Sequence, residues 1–343
     1  MSALIPLSDF DFEYPDELVA SVPTQPRDSS KLLVIDRISG ALEHAVFREL
    51  PRFLRPGDCL VLNRTKVMPC RLIGRKSTGG KVDLLLVREL GPSSWSALSS
   101  GLKAGQTLEF VGGLGARVEG VDEAGEYLLS FSTRDIRSYL AEHGLPPLPP
   151  YIASKRPPSR EDLARYQTVY ARDEGSIAAP TAGLHFTIEL LDRLRAQGIL
   201  TAWVTLHVGR GTFRPIKGDD AAAHVMLPET YEVSAAQAEV IVAAKARGGR
   251  LVAVGTTAAR TLETLAASPK GISPGRGESS LYIRPGYQFR AVDALITNFH
   301  LPRSTPLMLA GAFAGRERLL SAYREAVLRR YRLYSYGDAT LIQ

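Results

Sequence analysis

Apolar positions fall along the chain in two textures. KLLVID at 31–36 and CLVLN at 59–63 are short, nearly continuous apolar runs bounded by turn residues. That is the pattern of strands buried on both faces. From about Lys66 to Tyr151 shorter runs recur between glycine turns, among them KVDLLLV, TLEFV and YLLSF. Short strands at near-regular spacing predict a small barrel or sandwich. A helix is expected over Arg134–His143, capped by Thr133 and stopped by Gly144, and LPPLPPYI then reads as a stiff exit linker.

Beyond the linker, strands and helices alternate. Ser159 with Asp162 resembles a capping box opening a helix towards Tyr170. Leu190, Leu191 and Leu194 form one face of a helix begun at Thr187 and stopped by Gly198. The strand around AWVTLHV follows, and Ser234 with Gln237 is expected to cap the next helix. RLVAV runs into GTTAARTLETLA as a strand-to-helix turn, and VDALIT leads to NFHLPRST. A final helix is expected from Arg316 to about Tyr331, ahead of YSYGDATLI. Alternation of this kind predicts a layered α/β domain. Because the first two strands share its buried texture, the β-rich middle is read as an insertion. The expected organisation is an α/β catalytic domain from residues 1–65 and 157–343, with an inserted small β-barrel domain over 66–156.

Composition narrows the class. Hydrophobic residues make up 45% and charged residues 23% of 343 positions, ordinary for a globular protein. The net charge of +6 permits an anionic partner without demanding one. Cys59 and Cys70 are the only cysteines, and no CxxC occurs, which argues against a disulfide scaffold or a cysteine zinc site. The N-terminus lacks the basic and apolar regions of a signal peptide, and no apolar run reaches membrane-spanning length, so a cytoplasmic protein is expected. GxxxxGK[ST], a helix-opening GxGxxG, HExxH and GxSxG are all absent, which weakens the corresponding nucleotide-hydrolysis, dinucleotide, zinc-protease and hydrolase readings.

The densest chemistry lies in GSIAAPTAGLHF at 175–186. Small residues leave room, Pro180 breaks a helix, and Gly175 and Gly183 permit backbone angles that other residues avoid. The run reads as a snug loop that aims Thr181 and His185 at a target, just before a helix N-terminus able to receive a polar ligand. Three further loops concentrate polar groups at expected strand ends. LHVGRGTFRPI holds His207, Arg210, Thr212 and Arg214; VGTTAARTLE holds Thr256, Thr257 and Arg260; TNFHLPRST holds Asn298, His300, Arg303 and Ser304. Ligands of α/β sheets bind at the carboxyl ends of strands, so these loops on one rim make a polar pocket. His207 is equally compatible with a core-facing strand position, and Thr256 or Thr257 with a helix N-cap. Asp338 either turns the tail or meets a nucleobase edge. His44 and His143 are read as structural. Basic residues among tyrosines at 329–334 suit single-stranded RNA, or a solvated helix face.

Taken together, RDSSKLLVIDRISG, GDCLVLN, YQTVYA, GSIAAPTAGLHF, LHVGRGTF, VGTTAARTLE, LITNFHLPRST and YSYGDA resemble the S-adenosylmethionine:tRNA ribosyltransferase-isomerases of queuosine synthesis, in the family's order from residue 27 nearly to the end. The middle β region resembles the family less distinctly. Two stretches depart from it. Asn63-Arg64-Thr65-Lys66-Val67 stands where the family usually has NDTRV, so any carboxylate role there is lost. His224-Val225-Met226-Leu227-Pro228-Glu229 stands where it has HxMHSE, so a mechanism through the absent histidine is excluded for this chain.

The resemblance implies transfer of the ribosyl part of S-adenosylmethionine to an aminomethyl-7-deazaguanine at the tRNA wobble position. Rearrangement to an epoxycyclopentane then gives epoxyqueuosine, with release of adenine and methionine. S-adenosylmethionine is a substrate there, so no cofactor and no metal are expected; the partners are S-adenosylmethionine and a tRNA anticodon loop, and a monomer is expected. A sulfonium acidifies the neighbouring C–H, which suits a histidine base: His185 first, with His300 and His207 behind it. Adenine departure needs an acid, for which another histidine, Glu229 and Asp338 are candidates. Arg214 and Arg260 are candidates for the methionine carboxylate. Thr181, Gly183, His224, Thr256, Thr257 and Asn298 complete the expected substrate contacts. A methyltransferase using the same donor lacks support, since its glycine-rich first turn is not evident. A non-catalytic RNA-binding module is disfavoured by histidines clustered at loop tips.

Overall fold

The computed structural model describes residues 4–213, 216 and 218–343. The chain divides into two compact units, Met1–Lys66 with Gln167–Gln343, and Val67–Tyr166.

In the first unit nine strands form one sheet among the described residues. In chain order they are β1 (Lys31–Ile35), β2 (Leu42–Val46), β3 (Cys59–Asn63), β4 (Leu200–Leu206), β5 (Glu229–Val233), β6 (Leu251–Val254), β7 (Gly275–Ser279), β8 (Ala294–Asn298) and β9 (Ala339–Ile342). Their order across the sheet is β7-β5-β4-β3-β6-β8-β9-β1-β2. The four central strands β4, β3, β6 and β8 are mutually parallel. β9 runs antiparallel to β8, and β1 parallel to β9. The continuous apolar runs have their cause here: every residue of β3, β6, β8 and β9 is buried, as sheets covered on both faces require. One face packs Leu60, Leu62, Val252, Val254 and Ile296 against Phe186, Leu190, Leu191 and Leu194.

Helices follow their caps. Thr187 accepts the Leu190 N–H at 3.1 Å and opens α1 (Ile188–Ala196). Ser234 stands at the N-cap of α2 (Ala235–Ala246) but makes no capping bond. Gln237 is drawn instead to β4, where its Oε1 accepts the Trp203 N–H at 2.7 Å. α3 (Thr256–Ala267) is entered through Gly255 at φ 87°, a left-handed angle for which glycine is suited. The N-cap is therefore Gly255, and Thr256 and Thr257 lie inside the first turn. α4 (Thr305–Ala314) uses Ser304 as its cap and precedes α5 (Arg316–Leu328). The expected last helix thus ends three residues earlier than the pattern suggested, and α4 is a helix that the apolar run TPLMLAGAF did not distinguish from a loop.

In the second unit six strands close an antiparallel barrel among the described residues, in the order Tyr127–Phe131, Ser94–Leu98, Lys81–Gly91, Arg71–Lys76, Thr107–Phe110 and Gly115–Val121. Alternate positions of Lys81–Gly91 point inward, burying Val82, Leu84 and Leu86. The helix expected at Arg134 begins at Ile136, because Asp135 supplies the cap to Ser138 N–H at 3.0 Å while Thr133 accepts from Asp135 N–H. The helix expected beyond Ser159 is a single turn, Asp162–Arg165. There the Asp162 carboxylate is held at 2.6–2.7 Å by both terminal nitrogens of Arg156 as well as by Ser159. The compact unit runs ten residues further than the expected 66–156.

Candidate active site

The direction of the strands assembles the site. β4, β3, β6 and β8 end at one edge, and β9 and β1, running the other way, begin there; Ala339 lies in register with both Asn298 and Leu32. Asn63, His207, Gly255, Asn298, Asp338 and Ser30, scattered through the sequence, therefore share one edge of the sheet.

The central loop forms a 3-10 turn, Thr181–His185, over this edge. His185 is buried, with its ring 5.0 Å from that of Phe47. Its Nδ1 meets Ser30 Oγ at 2.7 Å and its Nε2 meets Asn298 Nδ2 at 3.0 Å. The Thr181 hydroxyl donates to Asn298 Oδ1 at 2.9 Å. Burial, reinforced by the positive charges of Arg332 and Arg27, lowers the His185 pKa to about 3. The ring is neutral at physiological pH and both nitrogens are engaged. Gly183 is needed for space rather than for an unusual angle: a Cβ there would lie 2.0 Å from the Tyr170 hydroxyl. A Cβ built on Gly255 would lie 3.6 Å from that of Ala182, which brings the central loop against the β6–α3 turn.

His300 is placed differently. Its Nε2 meets Thr297 Oγ1 at 2.7 Å and its backbone N–H donates to Tyr323 Oη at 3.1 Å. Thr297 and Asn298 are consecutive strand residues, so their side chains leave on opposite faces. His185 and His300 are held on those opposite faces and the structure does not bring them together. Burial lowers the His300 pKa to about 3. His207 follows β4, half-buried, with Nδ1 at 2.9 Å from Thr65 Oγ1. Burial lowers its pKa, against the opposing pull of Asp173.

A cleft opens beside the α3 N-terminus, lined in part by Val208, Gly211, Glu229, Thr256, Thr257 and Arg260. Three of the four expected loops contribute to it, Thr305 bringing in the last of them, and the fourth, the central loop, lies against it across Gly255. Arg260 is committed within it: Nη1 donates to Glu229 Oε2, Nε to Leu281 O at 3.1 Å, and Nη2 to Ser279 O at 3.2 Å. Glu229 Oε1 also accepts the Gly209 N–H at 3.0 Å. The pair is buried and ties β5, β7 and α3 together. The His224 ring packs edge-on to Tyr282, which also lines the cleft, with centroids 5.4 Å apart. Asp338 accepts the Lys31 N–H at 2.8 Å and the Arg332 N–H at 2.7 Å, so its carboxylate closes the tail onto β1. Burial raises its pKa despite those bonds. Arg214 lies outside the described residues. Among the described residues no group of three or more His, Cys, Asp or Glu is placed to hold a metal ion, and no helix is long and apolar enough to cross a membrane.

Sequence reasoning missed two residues here. Asn63 donates through Nδ2 to Leu206 O at 2.9 Å and to Thr257 Oγ1 at 3.1 Å, joining β3 to β4 and α3. Ser30, at the start of β1, gave no signal beyond its place in RDSSK.

The family model for the queuosine biosynthesis protein matches residues 7–342. The chain belongs to this family. It is 54% identical over 344 aligned residues to the S-adenosylmethionine:tRNA ribosyltransferase-isomerase of Anaeromyxobacter sp. (strain Fw109-5), covering 98% of each chain. It is 52% identical to the protein of that name from Moorella thermoacetica, covering 98% of this chain and 99% of the other. It is also similar to the crystal structure of S-adenosylmethionine tRNA ribosyltransferase from Thermotoga maritima: 39% identity, a TM-score of 0.58, and coverage of 98% of this chain and 100% of that one. The stretches at 63–67 and 224–229 have local structural partners. Arg64 Nε donates to Asp173 Oδ2 at 2.6 Å, and the Leu227 Cβ sits 3.4 Å from where a Cβ on Gly211 would be.

Proposed function

We propose that this chain moves the ribosyl part of S-adenosylmethionine onto the aminomethyl group of a 7-deazaguanine at the tRNA wobble position. Isomerisation gives epoxyqueuosine-tRNA, with release of adenine and methionine. The observation that carries this reading is similarity along the whole chain to ribosyltransferase-isomerases, with the matching blocks gathered at one edge of one sheet. S-adenosylmethionine and tRNA are the substrates and the site works without a resident cofactor. The enzyme acts as a cytoplasmic monomer.

Thr181, Thr256 and Thr257 form the surface on which the donor is held, with the buried Asn298 and Gly183 fixing Thr181 and its loop from behind. His207 is the base: its hydrogen bond to Thr65 uses Nδ1, leaving Nε2 to take the proton beside the sulfonium. Glu229 and Arg260 brace the wall of the cleft. A base displaced from a single-stranded anticodon loop reaches such an edge at low cost. The test is incubation with S-adenosylmethionine and a tRNA carrying the aminomethyl base, with mass spectrometry of nucleosides and small products. Epoxyqueuosine together with adenine and methionine is expected. S-adenosylhomocysteine in their place would make the chain a methyltransferase and overturn the reading.

A further inference from the structure

We propose that His185 is a positioning residue, whose Nε2 fixes the Asn298 amide so that the Thr181 hydroxyl presents its lone pairs to a hydrogen-bond donor on the substrate. This rests on the function proposed above and assigns one part of that site.

The inference follows from counting donors and acceptors along a chain of groups. Thr181 Oγ1 donates to Asn298 Oδ1, which places the other amide atom, Nδ2, against His185 Nε2. An amide nitrogen only donates, so Nε2 must be the unprotonated nitrogen. The ring proton is then on Nδ1 and points to Ser30 Oγ. Each link is 2.7–3.0 Å long and three of the four residues, Ser30, His185 and Asn298, are buried. Thr181 alone is partly exposed, so it is the end of the chain that meets a ligand. Its proton is spent inward. What it offers outward is an acceptor, and the group that satisfies it is an N–H or O–H of the substrate. The stacked Phe47 ring and the Gly183–Tyr170 contact keep the imidazole and its loop in place.

This arrangement differs from a general base at the same position. A base must take up a proton at Nε2, and here Nε2 already accepts from Asn298. Breaking that bond would strand a buried amide N–H without an acceptor.

Two measurements separate the possibilities. The first is nitrogen NMR of the histidine-labelled protein without substrate. Protonated Nδ1 and bare Nε2 on His185, unchanged from pH 8 to pH 5, are expected; a protonated Nε2, or titration in that range, overturns the proposal whether or not the protein is an enzyme. The second compares His185→Gln with His185→Phe in the ribosyl-transfer assay, with folding checked by circular dichroism. Glutamine keeps an oxygen that accepts from Asn298 and has no titratable nitrogen; phenylalanine keeps only the stacking. His185→Gln is expected to retain at least about tenfold more kcat/KM than His185→Phe; equal losses of about 10²–10⁴ in two folded variants would instead mark a base. Thr181→Val, restored by Thr181→Ser, is expected to raise KM. A rise in KM for S-adenosylmethionine places the donor on its ribose or adenine, and a rise for tRNA places it on the base being modified. No change in either KM overturns the role given to Thr181. A wild-type protein that makes no epoxyqueuosine but shows the expected tautomer refutes the function and leaves the hydrogen-bond chain standing.

Discussion

Two polar clusters sit at the same edge of the sheet and solve the problem of burial in opposite ways. Ser30, His185, Asn298 and Thr181 form a neutral chain joined by three side-chain hydrogen bonds of 2.7–3.0 Å. Glu229 and Arg260 form a charged clamp, closed by backbone groups of Gly209, Ser279 and Leu281. A neutral chain costs little to bury and gives direction; a charged pair costs more and is unforgiving of the loss of one member. The contrast explains why the histidine that looked most like a base is tied down, and why the arginine that looked like a carboxylate clamp already has its carboxylate.

The comparison can be broken at several points. Arg260→Met leaves Glu229 buried without its partner and should destabilise the protein by about 3–5 kcal/mol, read from urea denaturation. Stability within 1 kcal/mol of the wild type, on the order of experimental error for such series, would show the clamp to be dispensable. The neutral chain should fail with acid. His185 has a folded pKa of about 3, below its ordinary 6.5. Its contribution is therefore complete above about pH 6.5 and is lost as pH falls towards 3, at about 1.4 kcal/mol per pH unit. Denaturation at pH 7.5 and pH 5 should show a loss of about 2 kcal/mol from this ring, which His185→Gln removes. Gly183→Ala should cost about 1–3 kcal/mol by overpacking against Tyr170. Tyr170→Phe should recover part of that loss, and strict additivity of the two changes would contradict the contact. Ser30→Ala should cost least, about 1 kcal/mol, by leaving the His185 Nδ1–H without an acceptor. For catalysis, His207→Gln should lower kcat by about 10²–10⁴ with the fold retained, and a smaller drop removes His207 as base.

The core of the fold was legible because buried parallel strands leave continuous apolar runs: KLLVI, CLVLN and LVAV are all strands of the sheet. Glycine turns between short runs likewise announced the barrel. Local capping was less legible, because a cap depends on competitors nearby. Gln237 was claimed by Trp203, whereas Asp162 kept its bond from the Ser159 N–H and took on Arg156 as well, in a helix of only one turn. The site residues were legible as polar groups at strand ends, but their partners were not. Nothing in the order of residues places Ser30 beside His185, 155 positions later, or shows that Thr297 and Asn298 send two histidines to different faces. Those facts depend on strand direction and alternation, which only the assembled sheet supplies.

The insertion between β3 and β4 also bears on how the molecule comes off the ribosome. Barrel strands find partners close by in the chain, with Arg71 pairing Leu85, whereas Cys59 of the central strand pairs with Leu200 and Leu251. Short-range pairings close sooner than long-range ones. β3 must therefore remain without its neighbours until most of the polypeptide has emerged, and nascent chains halted near residue 170 should resist protease across the barrel while being cut at residues 59–63.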